Sequence, residues 1–196
     1  MRKRLEQQID FFLELDRLKQ VLRRNLIIGE ERNENDAEHS WHLAVMALVF
    51  SEYAAQKEMD LLRVVKMLLL HDVVEIDAGD TFCYDEAANR DKEEREEMAA
   101  RRIFALLPPD QHREFYGLWR EFEEGKTKEA RFAVCLDRLQ PLFLNYRTGG
   151  HTWSMPGVTS GDVKKRNRPL EENAPVLWEY ALEMIERAVE EGILAP

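Results

Sequence analysis

The chain has 196 residues, enough for one domain with a buried core, and its 44% hydrophobic and 34% charged residues exclude a disordered chain. A net charge of −10 argues against a nucleic-acid polymer or an anionic membrane surface as partner, and no apolar run is long enough to span a bilayer. The two cysteines, Cys83 and Cys135, lack metal-type spacing, and the basic start is soon interrupted by Glu6 and Asp10, unlike a signal peptide; free thiols and a cytoplasmic location are the expectation.

Nearly every long segment reads as helix. Leu5, Ile9, Phe12, Leu18, Val21 and Leu22 recur at three-to-four spacing, which predicts a first helix to about Arg24, with Gly29 just past it. A polar stretch over 30–36 leads into a second helix with Asp36 as its N-cap, apolar on most sides and therefore read as buried. A third helix starts near Asp60, runs through the most hydrophobic part of the chain into His71 and Asp72, and ends at Gly79 and Asp80. A loop over 81–90 precedes a strongly charged helix of about 86–107, stopped by Pro108 and Pro109. Further helices are expected over about 110–124, from a Thr127 cap to about Asn145, and over about 175–191. The glycine- and proline-rich segment 147–175 reads as an ordered loop with one short helix near 160–167. No alternating segment is long enough to predict a strand, and no repeat or linker divides the chain. The expectation is one all-α unit over residues 1–196, a bundle of about six to eight helices.

Metal sites need ionised or lone-pair-bearing ligands held away from bulk water, so imidazoles and carboxylates at the apolar ends of buried helices are the candidates. His71 and Asp72 directly follow LysMetLeuLeuLeu, and a buried Asp there needs a cation or donors around it. His39 and His42 lie one turn apart before an apolar run, and spacing alone does not choose between them. Asp137 sits among Ala133, Val134 and Pro141, where a metal and an ion pair are both open readings. Glu75 shares a helix face with His71 and Asp72, and Asp80 follows Gly79; both can act on water or a leaving group, or form a solvated helix end. Lys164, Lys165, Arg166 and Arg168 can reach a phosphate, although a solvated helix end is the plainer reading.

Taken together, His39, then His71 with Asp72, then Asp137, on separate helices, resemble the HD-domain metal-dependent phosphohydrolases. ArgAsnGluAsnAspAlaGluHisSerTrpHis at 32–42 and HisAspValValGluIleAspAlaGlyAsp at 71–80 resemble the 5′-deoxynucleotidase branch, and the likeness covers about residues 10–145. The resemblance implies that His39, His71, Asp72 and Asp137 ligate one divalent ion between the second, third and sixth predicted helices. It further implies that Glu75 handles the proton of the attacking water or leaving oxygen, that Asp80 places that water or the sugar, and that Arg23, in the first predicted helix, contacts the phosphate. A tryptophan that follows this arginine in the branch is replaced by Arg24. The ligand set suits Mn, Co, Fe, Ni or Zn, with Mg possible. The implied partners are a small nucleotide and a second copy of the chain, the latter through the charged helix near 86–107. A phosphohydrolase for another nucleotide or phosphoester, or a metal-binding regulatory module without turnover, are the alternative readings.

Overall fold

The computed structural model describes residues 1–85, 87–155 and 157–196, and among these it has ten α-helices, eight of them at least eight residues long. The first helix, α1 (Arg2–Glu14), is shorter than its apolar spacing predicts. The chain tightens into a 3₁₀ turn over Leu15–Gln20, goes extended at Val21, and enters strand β1 (Leu22–Leu26). Gly29, at φ +83, lets it turn back into β2 (Asn33–Asn35), paired antiparallel with Leu22 opposite Asn35 and Leu26 opposite Asn33. Two expectations are corrected here: Arg23 lies on a strand rather than a helix, and the polar 30–36 stretch carries part of a hairpin. The hydropathy pattern hid it because β1 is inverted. Leu22 faces solvent while Asn25 is buried and Arg23 half-buried, since the inner face of β1 abuts a polar chamber instead of the core.

Helix α2 (Asp36–Phe50) is capped by Asn35 rather than Asp36. The Asn35 side chain accepts from the Glu38 amide at 3.0 Å and the Asn35 amide donates to the Glu38 carboxylate at 3.1 Å, a reciprocal capping box. Asp36 is thereby left inside the first turn, fully buried. Leu43, Met46 and Ala47 face the core, whereas Trp41, Leu48 and Val49 are exposed, so α2 is buried on one side only.

Helix α3 (Leu61–Leu70) begins at Asp60, whose carboxylate accepts from the Arg63 amide at 3.0 Å, as the sequence leads one to expect. It does not continue as a regular helix through Asp72. His71–Val74 forms a 3₁₀ turn, then a four-residue helix, α4 (Glu75–Ala78), ends at Gly79. The tighter winding brings His71, Asp72 and Glu75 toward one side of the chain. Gly79, at φ +75 and ψ 150, occupies a region open essentially only to glycine, and it turns the chain so that Asp80 faces back into the same chamber.

The charged helix is α5 (Lys92–Phe104), shorter than expected at both ends; Glu86, its expected start, lies outside the described residues. α6 (Pro109–Glu124) starts on a proline and stops at Gly125 in the left-handed conformation. α7 (Lys128–Arg147) is capped by Thr127 and packs on α2, α3 and α6, with Phe132, Leu136 and Leu139 deep in the core. Pro141 within α7 has no amide hydrogen, so the Asp137 carbonyl one turn earlier lacks its in-helix donor.

After α7 the buried Asn145 organises the chain reversal. Its side-chain oxygen accepts from the Thr152 amide at 2.9 Å and the Thr152 hydroxyl at 2.7 Å, and its carbonyl accepts from Gly150 at 2.8 Å. A Cβ on Gly150 would stand 2.4 Å from the Ile193 carbonyl oxygen, so only glycine lets the C-terminal strand of chain approach there. The short helix expected near 160–167 is α8 (Ser160–Asn167), and α9 (Pro169–Asn173) follows, unforeseen; Pro156 lies outside the described residues. α10 (Pro175–Glu190) packs on α7, α8 and α9. No helix among the described residues is long and apolar enough to cross a membrane.

Gly79→Ala is expected to cost about 1–3 kcal/mol in stability, the strain of a side chain in that backbone region. Chemical denaturation measures it; an unchanged midpoint would show that the turn into Asp80 tolerates a Cβ.

Candidate metal centre

The first imidazole comes from the second turn of α2. His39 is fully buried, and its Nδ1 lies 3.2 Å from the Gln140 amide oxygen and 3.5 Å from Glu34. Gln140 is itself fixed, its amide nitrogen donating to Glu34 at 2.7 Å, which turns its oxygen toward His39. The Nδ1 of His39 is therefore the protonated nitrogen, and Nε2 points the other way, 3.1 Å from Asp137 Oδ1 and 3.9 Å from Asp72 Oδ2.

His71 repeats the arrangement by a different route. Its Nδ1 lies 2.9 Å from the Leu68 carbonyl oxygen, which can only accept, so Nδ1 donates and Nε2 is turned inward. That Nε2 is buried without a hydrogen-bond partner, 3.1 Å from Asp72 Oδ1 and 3.7 Å from Asp137 Oδ1. Two imidazoles with inward Nε2 atoms, each held by a bond at Nδ1, converge with two carboxylates. A buried nitrogen without a hydrogen-bond partner in such a group fits a cation; His39, His71 and Asp72 stand close enough together to hold a metal ion, and Asp137 lies beside both imidazoles.

The charges say the same. Burial lowers the pKa of His71, but the Asp72 and Asp137 carboxylates overcome it and hold it up to about 10. Burial and Arg23 lower that of His39, yet hydrogen bonds to Asp137 and Glu34 leave it raised. Burial alone would raise Asp72 and Asp137; the two histidines, with Arg23 for Asp72, pull both below the usual range. Protons on the imidazoles thus supply positive charge that a divalent ion would supply instead, and binding one would release them.

Arg23 reaches the chamber from β1. Its Nη1 donates to Asp72 Oδ2 at 2.8 Å and to Asp36 Oδ1 at 3.2 Å, while its Nε is buried with no hydrogen-bond partner. Glu75 is buried with Oε2 unpartnered, and burial together with the Asp72 and Asp36 charges raises its pKa well above the ordinary carboxyl value. Burial and the Asp72 charge likewise push Asp36 up to about 7. Burial raises Asp80, which shares the chamber with Glu75, Asp72, Asp137 and Arg23.

The structure thus brings His39, His71, Asp72, Asp137, Glu75, Asp80 and Arg23 to one place, and separates His42 from them. His42 Nδ1 is 3.4 Å from Gln140 Nε2, behind His39. Arg166 is half-buried at the chamber wall rather than solvated, while Lys164 and Arg168 lie near surface carboxylates. Sequence reasoning missed Glu34 and Gln140. Gln140 lies one helical turn after Asp137, a usable signal; Glu34 sits in a charged stretch with no local mark of burial.

Comparison with known proteins gives a consistent picture. The family model described as HD domain matches residues 15–178. The 5′-deoxynucleotidase HDDC2 of Homo sapiens is 33% identical over 135 residues, 68% of this chain and 64% of that protein. Its Mus musculus counterpart is 34% identical over 112 residues, 57% and 54% of the two chains. The matched stretch spans less than two thirds of these relatives' own length. A crystal structure from Magnetospirillum magnetotacticum, described as a "predicted metal-dependent phosphohydrolase", is 50% identical, covers 99% of this chain and 97% of that one, and superposes with a TM-score of 0.94.

Gln140→Leu removes the acceptor that orients His39. Metal affinity, measured by competition with a chelator, is expected to fall about 10–100-fold; unchanged affinity would mean that His39 is held by packing alone.

Proposed function

The chain belongs to the HD domain family, and on that premise we propose that it is a metal-dependent phosphohydrolase which removes the 5′-phosphate from deoxynucleoside or nucleoside monophosphates. The observation that carries the reading is the meeting of two inward Nε2 atoms with Asp72 and Asp137, in a chamber that also holds Glu75 and Arg23.

His39, His71, Asp72 and Asp137 would hold one divalent ion. This mixture of imidazole and carboxylate suits Mn, Co, Fe, Ni or Zn, and admits Mg. When bound, the ion supplies Lewis acidity toward a phosphoryl oxygen and a lowered pKa for water. Arg23 carries a fixed positive charge at the chamber wall, with a planar fork suited to phosphate oxygens. Glu75, whose pKa burial and its acidic neighbours raise, is suited to give a proton to the leaving sugar oxygen or, when ionised, to take one from the attacking water. Asp80, held by the Gly79 turn, lies where it can orient that water or a sugar hydroxyl. The burial of both imidazoles, Asp72 and Glu75 strengthens each of these interactions.

The same reading takes residues 1–196 as one functional unit. It also takes the protein as a homodimer, because α2 carries Trp41, Leu48 and Val49 exposed on one face; the charged α5 is the poorer candidate for that contact. The mass in solution by light scattering checks this, and a monomer at micromolar concentration contradicts it. A cytoplasmic location accords with Cys83 and Cys135 being free thiols, and alkylation of both in protein isolated without reductant tests it.

The activity is tested by phosphate release from a panel of deoxy- and ribonucleoside monophosphates with Mn, Co, Mg or Zn. Asp72→Ala should abolish release together with metal binding. Glu75→Gln should lose about 10²–10⁴ in kcat while keeping the metal. Metal bound by the wild type without phosphate release from any monophosphate would overturn the nucleotidase reading.

A further inference from the structure

The chain has five half-buried arginines: Arg23, Arg95, Arg120, Arg138 and Arg166. Three are ion-paired, Arg23 to Asp72, Arg95 to Asp91 and Arg120 to Glu97. Arg138 and Arg166 have no carboxylate within salt-bridge distance among the described residues, in a protein with 38 acidic side chains against 28 basic ones. They are also neighbours: Arg138 Nη1 donates to the Arg166 carbonyl oxygen at 3.0 Å. Two arginines that line one cleft, partly out of water and, among the described residues, neither bonded to a carboxylate, suit an anion.

Both arginines line a small cleft with a cavity volume of about 60 Å³. Tyr84 and the buried Trp153 supply aromatic walls, and Arg23 and Asp80 stand where the cleft meets the metal chamber. Arg166 borders both spaces. Arg138 borders the cleft and not the chamber that holds Asp72, Glu75 and Asp137. This separation follows from α7, where successive side chains diverge by about 100°, so Asp137 and Arg138 serve different spaces. The phosphate to be cleaved belongs with Asp137; Arg138 lies outside that chamber, and Arg166 stands between the two spaces.

We propose that Arg138 and Arg166 bind a second phosphate of the substrate, so that the preferred substrate is a nucleotide phosphorylated at two positions, one phosphate at the metal centre and the other between the two guanidiniums. The inference rests on the phosphohydrolase reading above and narrows its substrate class. Guanidinium forks match phosphate oxygens in pairs, and two of them balance a dianion. Trp153 and Tyr84 give the cleft an aromatic lining beside the two arginines.

The test compares 5′-phosphate release from deoxyadenosine 5′-monophosphate and deoxyadenosine 3′,5′-bisphosphate, using the metal-loaded wild type, Arg166→Gln and Arg138→Lys. No hydrogen bond of the Arg166 side chain to the protein is present among the described residues, so Arg166→Gln leaves the fold its contacts; Arg138→Lys keeps the charge and removes the fork. The wild type is expected to favour the bisphosphate in kcat/KM by about 10–100-fold, the worth of one or two charge-assisted hydrogen bonds, and Arg166→Gln should bring that ratio near one. A wild-type ratio near one, or a ratio that both variants leave unchanged, overturns the proposal; the second result would place the arginines on the phosphate that is cleaved. Calorimetric binding of both nucleotides to the metal-free proteins separates the two readings. Should neither nucleotide be hydrolysed, tighter bisphosphate binding that depends on Arg166 upholds the anion pair and overturns the nucleotidase reading. Absence of that dependence overturns the pair as well.

Discussion

The structure depends on the neutralisation of buried carboxylates. Glu34, Asp36, Asp72 and Glu75 are each less than a tenth exposed, and Asp137 stands 3.1 Å from a buried imidazole. An isolated ionised carboxylate out of water is too costly to persist, so each must be paired, protonated or metal-bound. Arg23 answers two of them directly, His39 and His71 answer two more, and Glu75 answers by holding its proton. The site is therefore an electrostatic balance with room for positive charge, and that balance gives the chamber its chemistry. With a Lewis-acidic ion bound, the chamber would join it to a guanidinium and a carboxyl of raised pKa, a set suited to the proposed phosphoester hydrolysis.

The fold delivers these groups from four separate directions. The β1–β2 hairpin carries Arg23 and Glu34, the first turns of α2 carry Asp36 and His39, the 3₁₀ turn after α3 carries His71 and Asp72, and α7 carries Asp137 and Gln140. Both imidazoles are held by a bond on the side away from the chamber. The Leu68 carbonyl holds His71, Gln140 and Glu34 hold His39, and the Asn35–Glu38 capping box fixes the start of α2. Such outer contacts orient ligands before a ligand or substrate arrives, and their loss is felt as weaker binding rather than as unfolding.

Much of this was legible in the sequence for a physical reason. Charged or imidazole side chains at the ends of apolar helices are anomalous, and that anomaly marks His71, Asp72, Glu75 and Asp137; it marks His39 and His42 alike, and only the family resemblance points to His39. Helix limits marked by side-chain caps and prolines, such as Thr127 and the 160–167 helix, also came out as expected. The misses share a different cause. The first helix was overextended because Leu18, Val21 and Leu22 continue the three-to-four spacing, while the decision to go extended is made by pairing with Asn33–Asn35, remote in sequence. Glu34 and Arg23 were hard to place because a strand facing a polar chamber reverses the usual pattern of apolar inside and polar outside. Asp36 reads as a cap because Asp favours that position; Asn35, one residue earlier, fits it equally and takes it.

The central claim is that His39, His71, Asp72 and Asp137 form one metal centre. The most direct measurement is anomalous diffraction from crystals of the zinc-loaded protein. The account predicts one peak in the chamber, with both Nε2 atoms about 2.0–2.1 Å from it. An empty chamber with Arg23 still paired to Asp72, or a single ion held by Asp36, Glu75 and Asp80 instead, would contradict it.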